Sequence, residues 1–210
     1  MRLRRLGQTD YLAAWEAMRA FTRARASDTP DELWLTEHPP VFTLGVAGRP
    51  EHILRDVGIP VLRTDRGGQV TYHGPGQLIL YLLLDLRRRH LKVAEMVQGM
   101  EAAIIRMLGD AGLPTQRRAG APGVYLGAEG NGAKIAALGL KVSRGCTYHG
   151  LSLNVDMDLA PFAAIHPCGY PGLAVTSTRA QGLAFDVAEA GERLARQLIR
   201  EFSGKGAPHA

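Results

Sequence analysis

Seven consecutive residues without a charge, Leu78-Ile79-Leu80-Tyr81-Leu82-Leu83-Leu84, constrain this chain more than any other feature. The run is far shorter than the ~20 apolar residues that span a membrane. It also lacks the alternation of a strand with one wet face. Such a strand has to be covered on both sides, so it belongs at the centre of a sheet with layers above and below. It is the longest uncharged apolar run, and no apolar stretch follows Arg2, Arg4 and Arg5 before Asp10. Neither a membrane span nor a secretory signal is therefore expected.

The residues that lead into this run, Arg66-Gly67-Gly68-Gln69-Val70-Thr71-Tyr72-His73-Gly74-Pro75-Gly76-Gln77, have an unusual makeup. Glycine and proline alternate with types that bind or position: Arg, Gln, Thr, Tyr and His. An ordinary surface loop mixes small polar residues with charges. Glycine lets a backbone approach a ligand closely, because no Cβ intervenes. The stretch is either a pocket wall ending on a buried strand or a Gly-rich hairpin with no ligand.

Arg2 to Leu6 alternates and suits an edge strand. Thr9 or Asp10 caps a helix to about Arg25, with Leu12, Trp15, Met18 and Phe21 as its apolar stripe. Strands follow at Leu33 to Thr36 and Val41 to Leu44, with His38-Pro39-Pro40 between them forbidding helix. His38 is there either as a turn residue or as a pocket residue. Gly45 to Arg55 is a loop, and Ile59 to Arg63 a strand. Val93 to Leu108 is a second amphipathic helix, closing near Gly109 or Gly112. Beyond Pro114 come strands at 123–126, 133–138, 140–143 and 147–155, with a hairpin-type turn over 127–132. Pro167 to Gly172 forms a rigid loop. Asp186 caps a last helix with Val187, Ala190, Leu194, Leu198 and Ile199 inward. The fold class is α/β in the mixed (α+β) sense, a mixed, largely antiparallel sheet packed with helices. The 210 residues, 46% of them hydrophobic, suit a single domain over 1–203 with a flexible tail over 204–210.

The net charge is +5, densest at Arg87-Arg88-Arg89 and Arg117-Arg118. Such clusters suit an acidic partner or a solvated face. Aromatic residues do not interleave with the basic ones, so nucleic acid is not expected. Two cysteines make no disulfide framework, which points to free thiols and a cytoplasmic setting.

Cys168 stands between Pro167 and Gly169, outside any apolar strand or helix where a structural cysteine usually lies. Cys146, at a strand start, suits a structural role. A thiol is only slightly ionised at neutral pH, so a nucleophile needs help. Lys134, Lys141, His73, His149 and His166 could supply it. Lys134 lies in the apolar segment Gly-Ala-Lys-Ile-Ala-Ala-Leu-Gly. Loss of hydration there should lower its pKa toward a range useful for proton transfer. The alternative is a lysine that snorkels to the surface. Cys146, His149, His166 and Cys168 form a rival two-Cys, two-His zinc set, but a one-residue His-x-Cys gap is awkward for tetrahedral ligation. The phosphate-binding loop, the dinucleotide fingerprint, the Gly-x-Ser-x-Gly elbow and the His-Glu-x-x-His motif are missing from the sequence.

These residues resemble the lipoyl(octanoyl) transferases, also called lipoate-protein ligase B. The family signature Arg-Gly-Gly-x2-Thr-aromatic-His-x2-Gly-Gln-x-apolar-x-Tyr runs from Arg66 to Tyr81. Further blocks are Ala121 to Tyr125 with Lys134 to Gly139, Arg144 to Val155, and Pro167 to Tyr170. Together they cover residues 10 to 200 in unbroken order. The resemblance implies the fold of biotin and lipoate ligase catalytic domains. It implies transfer of an octanoyl group from acyl carrier protein to a lysine of lipoyl domains, those of 2-oxoacid dehydrogenases and the glycine cleavage H protein, with no cofactor and no metal. It assigns Cys168 as the acyl-thioester cysteine and Lys134 as its activator. Acyl-substrate segments fall on Arg66, Gly67, Gly68, Gln69, Val70, Thr71, Tyr72 and His73. They continue on Ala137, Leu138 and Gly139 and on Gly150, Leu151 and Ser152. His166 departs from the family's Asn before Pro-Cys-Gly. An ATP-dependent lipoate or biotin ligase, which shares the fold but needs no cysteine nucleophile, is the alternative. Leu78, Ile79, Ala136, Ala137 and Leu138 are expected to line the acyl groove.

Overall fold

A computed structural model describes residues 1–127 and 132–203. The expected turn at 127–132 and the tail at 204–210 fall mostly or wholly outside them. In chain order the elements are β1 Arg2–Gln8, α1 Tyr11–Ala24, β2 Glu32–Glu37, β3 Val41–Leu44, β4 Val61–Arg63, β5 Val70–His73 and β6 Gln77–Leu83. There follow α2 Val93–Asp110, β7 Thr115–Gln116, β8 Val124–Leu126, β9 Lys134–Ser143, β10 Cys146–Asn154 and α3 Val187–Ser203.

The apolar run becomes β6, buried along its whole length inside a sheet ordered β1-β2-β6-β10-β9-β8-β7. Only the β1–β2 pair is parallel; the other neighbours run antiparallel. Alternate side chains of β6 serve different layers. Leu78, Leu80 and Leu82 join Met96, Met100 and Ile104 of α2 and Leu194, Leu198 and Phe202 of α3. Ile79, Tyr81 and Leu83 face Ala14 and Met18 of α1. Each fully buried aliphatic side chain contributes ~1.5–3 kcal/mol, so this strand couples both layers. A second, small sheet, β4-β3-β5, carries the chain into β6 and packs Phe42, Val70 and Tyr72 on Phe162 and Ile165.

Asp10 caps α1 by accepting from the Ala13 N–H at 3.0 Å. The expected stripe is corrected: Tyr11, Ala14, Met18 and Thr22 are buried, while Leu12 is 43% exposed. Residues at strict three-residue steps drift by about 60° per step around a helix of 3.6 residues per turn. Leu12 and Phe21 therefore cannot share one face. The two strands expected at 133–138 and 140–143 are one strand, β9, because Gly139 pairs directly with Gly150 of β10.

The arginine clusters lie at the surface but are partly tied to buried carboxylates. Arg25, Arg88 and Arg89 converge on the buried carboxylate of Asp31. Arg117 pairs with Glu101. Among the described residues no helix is long and apolar enough to cross a membrane.

Candidate active site

The floor of a cavity of about 430 Å³ is built where β6, β10 and β9 lie side by side. Ile79 pairs with Ser152 and Tyr81 with Gly150, while Ser152 and Gly150 pair in turn with Ala137 and Gly139. Small residues at these registers leave room above the sheet. A Cβ on Gly139 would stand 2.9 Å from the carbonyl oxygen of Gly67.

One wall is the segment Arg66 to Thr71, fastened to the floor by the Gly67 N–H donating to the Leu140 carbonyl at 2.8 Å. The guanidinium of Arg66 is buried and donates to Thr43 O at 2.7 Å, Thr43 Oγ1 at 2.8 Å, Gln69 O at 2.8 Å and Gly67 O at 3.0 Å. A planar, multidentate donor can hold so many loop carbonyls where a lysine could not. Arg66 lines the cavity, and its side chain also shapes the wall.

The opposite wall is the turn Pro167–Gly169, with Cys168 at φ 56° and ψ 17°. That left-handed conformation is uncommon for a residue with a Cβ, and such strain gathers at functional sites. Gly169 N–H closes the turn on His166 O at 2.8 Å, and His166 N–H ties it to His52 O at 2.8 Å. Lys134 reaches across from the start of β9. Its Nζ donates to Cys168 Sγ at 3.0 Å and to Pro122 O at 2.9 Å, and sits 5.2 Å from the Tyr125 ring centroid. The lysine is 4% exposed, so it does not snorkel. The expected fall of its pKa is corrected. Burial pulls it down, but the adjacent sulfur, as an anion and as a hydrogen-bond acceptor, outweighs burial and raises it. Lys134 is thereby held as an ammonium pointed at the Cys168 sulfur.

The structure gathers Arg66, Gly67, Gly68, Gln69, Val70, Thr71 and His73 around the cavity, with Ala137, Leu138, Gly139, Gly150, Leu151, Ser152, Lys134 and Cys168. Tyr72 is the exception: its ring packs between Phe42 and Phe162. Leu78 and Ala136 belong to the main core, whereas Ile79 and Leu138 line the cavity. His73, buried on the cavity wall, donates from Nδ1 to Gln77 Oε1 at 2.7 Å, and burial pushes its pKa down to about 3.

Tyr11, Tyr81, Val93 and Val97 also line the cavity and were not singled out by sequence. Tyr81, the one polar group in the apolar run, carried a signal. His38 turns out to be its partner, fully buried, with Nε2 2.6 Å from the Tyr81 hydroxyl and Nδ1 2.7 Å from Thr9 O. The carbonyl accepts only, so Nδ1 donates and Nε2 accepts a hydrogen bond from the tyrosine hydroxyl. His149, at φ 59°, breaks strand alternation, so Tyr148 and His149 both bond Asp65, which also accepts from Trp15. Cys146 is buried and its pKa is pushed up by burial, in keeping with a structural role. Among the described residues no three His, Cys, Asp or Glu side chains gather to hold a metal ion, so the two-Cys, two-His set is not assembled.

Residues 10–199 match the family described as lipoyl protein ligase A/B catalytic domain. An octanoyltransferase of Azoarcus sp. (strain BH72) is 62% identical over 199 residues, covering 94% of this chain and 86% of that protein. One from Dechloromonas aromatica (strain RCB) is 56% identical over 203 residues, covering 97% of each. Among solved structures, the bipartite lipoate protein ligase of Thermoplasma acidophilum, reported with its E2 lipoyl domain, superposes with a TM-score of 0.71 at 18% identity, covering 97% of this chain and 82% of that one. A biotin protein ligase from Aquifex aeolicus in complex with biotin and ATP gives 0.61 at 12% identity, covering 98% and 72%. At such identities the ligases share the fold alone.

Proposed function

The chain belongs to the family of lipoyl protein ligase A/B catalytic domains and transfers octanoyl groups, and from that premise we propose that Cys168 and Lys134 carry the transfer in two half-reactions. In the first, the Cys168 thiolate attacks the thioester carbonyl of an octanoyl carrier protein. The C–S bond to the carrier breaks, and the departing carrier thiolate takes a proton from the Lys134 ammonium. In the second, the amine of an acceptor lysine attacks the Cys168 thioester. Lys134, now neutral, accepts the proton released as the amide forms, and Cys168 leaves as thiolate, restoring the ion pair. Thioester exchange is close to thermoneutral and amide formation is downhill, so the sequence of steps runs without ATP.

The observation that carries this reading is the 3.0 Å contact between Lys134 Nζ and Cys168 Sγ at the wall of a mostly apolar cleft. Ile79, Leu138, Val97 and the small residues of the floor suit an octanoyl chain, whose six or so methylenes contribute ~0.8 kcal/mol each on burial. The acceptors are lipoyl domains of 2-oxoacid dehydrogenases and the glycine cleavage H protein, and the setting is the cytoplasm. The E2 lipoyl domain reported for the Thermoplasma ligase supports that class of acceptor. Residues 1–203 act as one catalytic domain without a cofactor.

Incubation with octanoyl carrier protein followed by intact-mass measurement tests the scheme. Wild type and Cys146→Ser should gain one octanoyl group and lose it on adding a lipoyl domain. Cys168→Ser should gain none; an adduct of equal yield in that variant would remove Cys168 from the mechanism.

A further inference from the structure

Glu101 lies in the middle of α2 and is 5% exposed, an expensive place for a carboxylate unless its partners are well made. Its Oε1 accepts from the Gly123 N–H at 2.9 Å and its Oε2 from Arg117 Nε at 2.9 Å. Gly123 N–H and Pro122 C=O are the two ends of one peptide group. The carbonyl end accepts from Lys134 Nζ at 2.9 Å, and Lys134 donates onward to Cys168 Sγ at 3.0 Å. A peptide group is planar, so fixing the direction of its N–H fixes the direction of its C=O. Hydrogen bonds in such a chain also polarise one another, and a charged acceptor at one end strengthens the carbonyl at the other.

From this chain of contacts we infer that Glu101 is a positioning residue for the Cys168–Lys134 pair, acting through the Pro122–Gly123 peptide. It holds the carbonyl that orients the ammonium and helps keep the proton on it. The inference rests on the reading of Cys168 and Lys134 as the reacting pair. Around the lysine and the sulfur the charged or titratable groups are Tyr125, with Arg118 stacked on that ring 4.3 Å from its centroid, the buried Arg66 guanidinium, and His166 with His52 beside the turn. Around Glu101 the paired charge is Arg117, whose side chain is 46% exposed. Arg117 offsets part of the cost of burying the carboxylate, but only the bond to the peptide reaches the site.

The test is the pH profile of iodoacetamide alkylation at Cys168, read in full-length protein in a Cys146→Ser background, together with single-turnover acylation by octanoyl carrier protein. Lys134→Met, which removes the ammonium, should displace the profile upward. Glu101→Leu, close to isosteric but without an acceptor, should displace it in the same direction by about one pH unit and slow acylation about tenfold, the size of losing one charge-assisted bond. Glu101→Gln keeps an oxygen for the Gly123 N–H but not the charge, so its profile should fall between wild type and leucine, and Arg117→Ala should leave the profile in place. If the leucine variant fails to fold, Glu101→Asp, which withdraws the carboxylate by one methylene, should give the same displacement. A wild-type profile in Glu101→Leu or Glu101→Asp, with Lys134→Met displaced, would overturn the inference alone, as would a glutamine variant as impaired as leucine. A profile unmoved by Lys134→Met would overturn the reacting pair and this inference with it.

Discussion

Gly123 is where adding a single methyl group should disable the chemistry. A Cβ built there would lie 2.4 Å from Lys134 Cε, 2.8 Å from Ala136 O and 2.9 Å from Lys134 Nζ. Comfortable carbon contacts lie near ~3.5–4 Å, so the lysine stem has to retreat by roughly 1 Å. Its amine now stands 3.0 Å from the sulfur, and a retreat of that size ends the hydrogen bond. Misplacement by ~1 Å slows an enzyme about 10²-fold. The backbone adds a second penalty, because φ is +139° at this position, where a side chain is strained by ~1–3 kcal/mol. For a domain of this size that lowers Tm by about 2–12 °C. Single-turnover acylation followed by intact mass reads the first effect, and thermal unfolding the second. Gly112→Ala separates them: φ is +82° there, but nothing lies within 4 Å of the added atom. It should lose stability and keep the acylation rate. Gly123→Ala acylated at the wild-type rate would refute the claim that the missing Cβ positions the lysine.

Asp31→Ala should destabilise by about 3–5 kcal/mol in urea unfolding, because it leaves the guanidinium of Arg25, 3% exposed, without its counter-ion. Burial opposes ionisation of Asp31, but the Asp85 N–H together with Arg89 and Arg25 hold its pKa below the usual carboxylate value. A depressed carboxylate contributes stability above its unfolded pKa and loses it as pH falls, so the gap between wild type and variant should narrow below about pH 4; a gap of constant size would refute the linkage. Burial lowers the pKa values of His38, His73 and His149, the second to about 3. The unfolded chain then binds these protons first, so stability should decline as pH drops below about 6.5. His38→Gln should make that decline shallower, and an unchanged slope would exclude His38 from it.

Much of this architecture follows from local pattern. An unbroken apolar run had to become a doubly covered strand, Thr9 or Asp10 stood ready to cap a helix, and the glycines beside Arg66 allowed either a pocket wall or a plain hairpin. Helix faces were less legible, because Leu12 shares a spacing with Met18 without sharing its side of the helix. The sign of the Lys134 shift was not legible either. Apolar neighbours in sequence predict a lowered pKa, whereas the group that decides the matter is a sulfur 34 positions away. The same holds for Tyr81 with His38, for Asp31 with Arg88 and Arg89, and for Glu101 with Gly123. The sequence by itself determined which residues can react, cap, turn or hide from water, since those properties belong to single side chains and their near neighbours. Only the tertiary structure decided which charges meet, because strand order and register set the distances, and Coulomb and hydrogen-bond energies fall within a few ångströms.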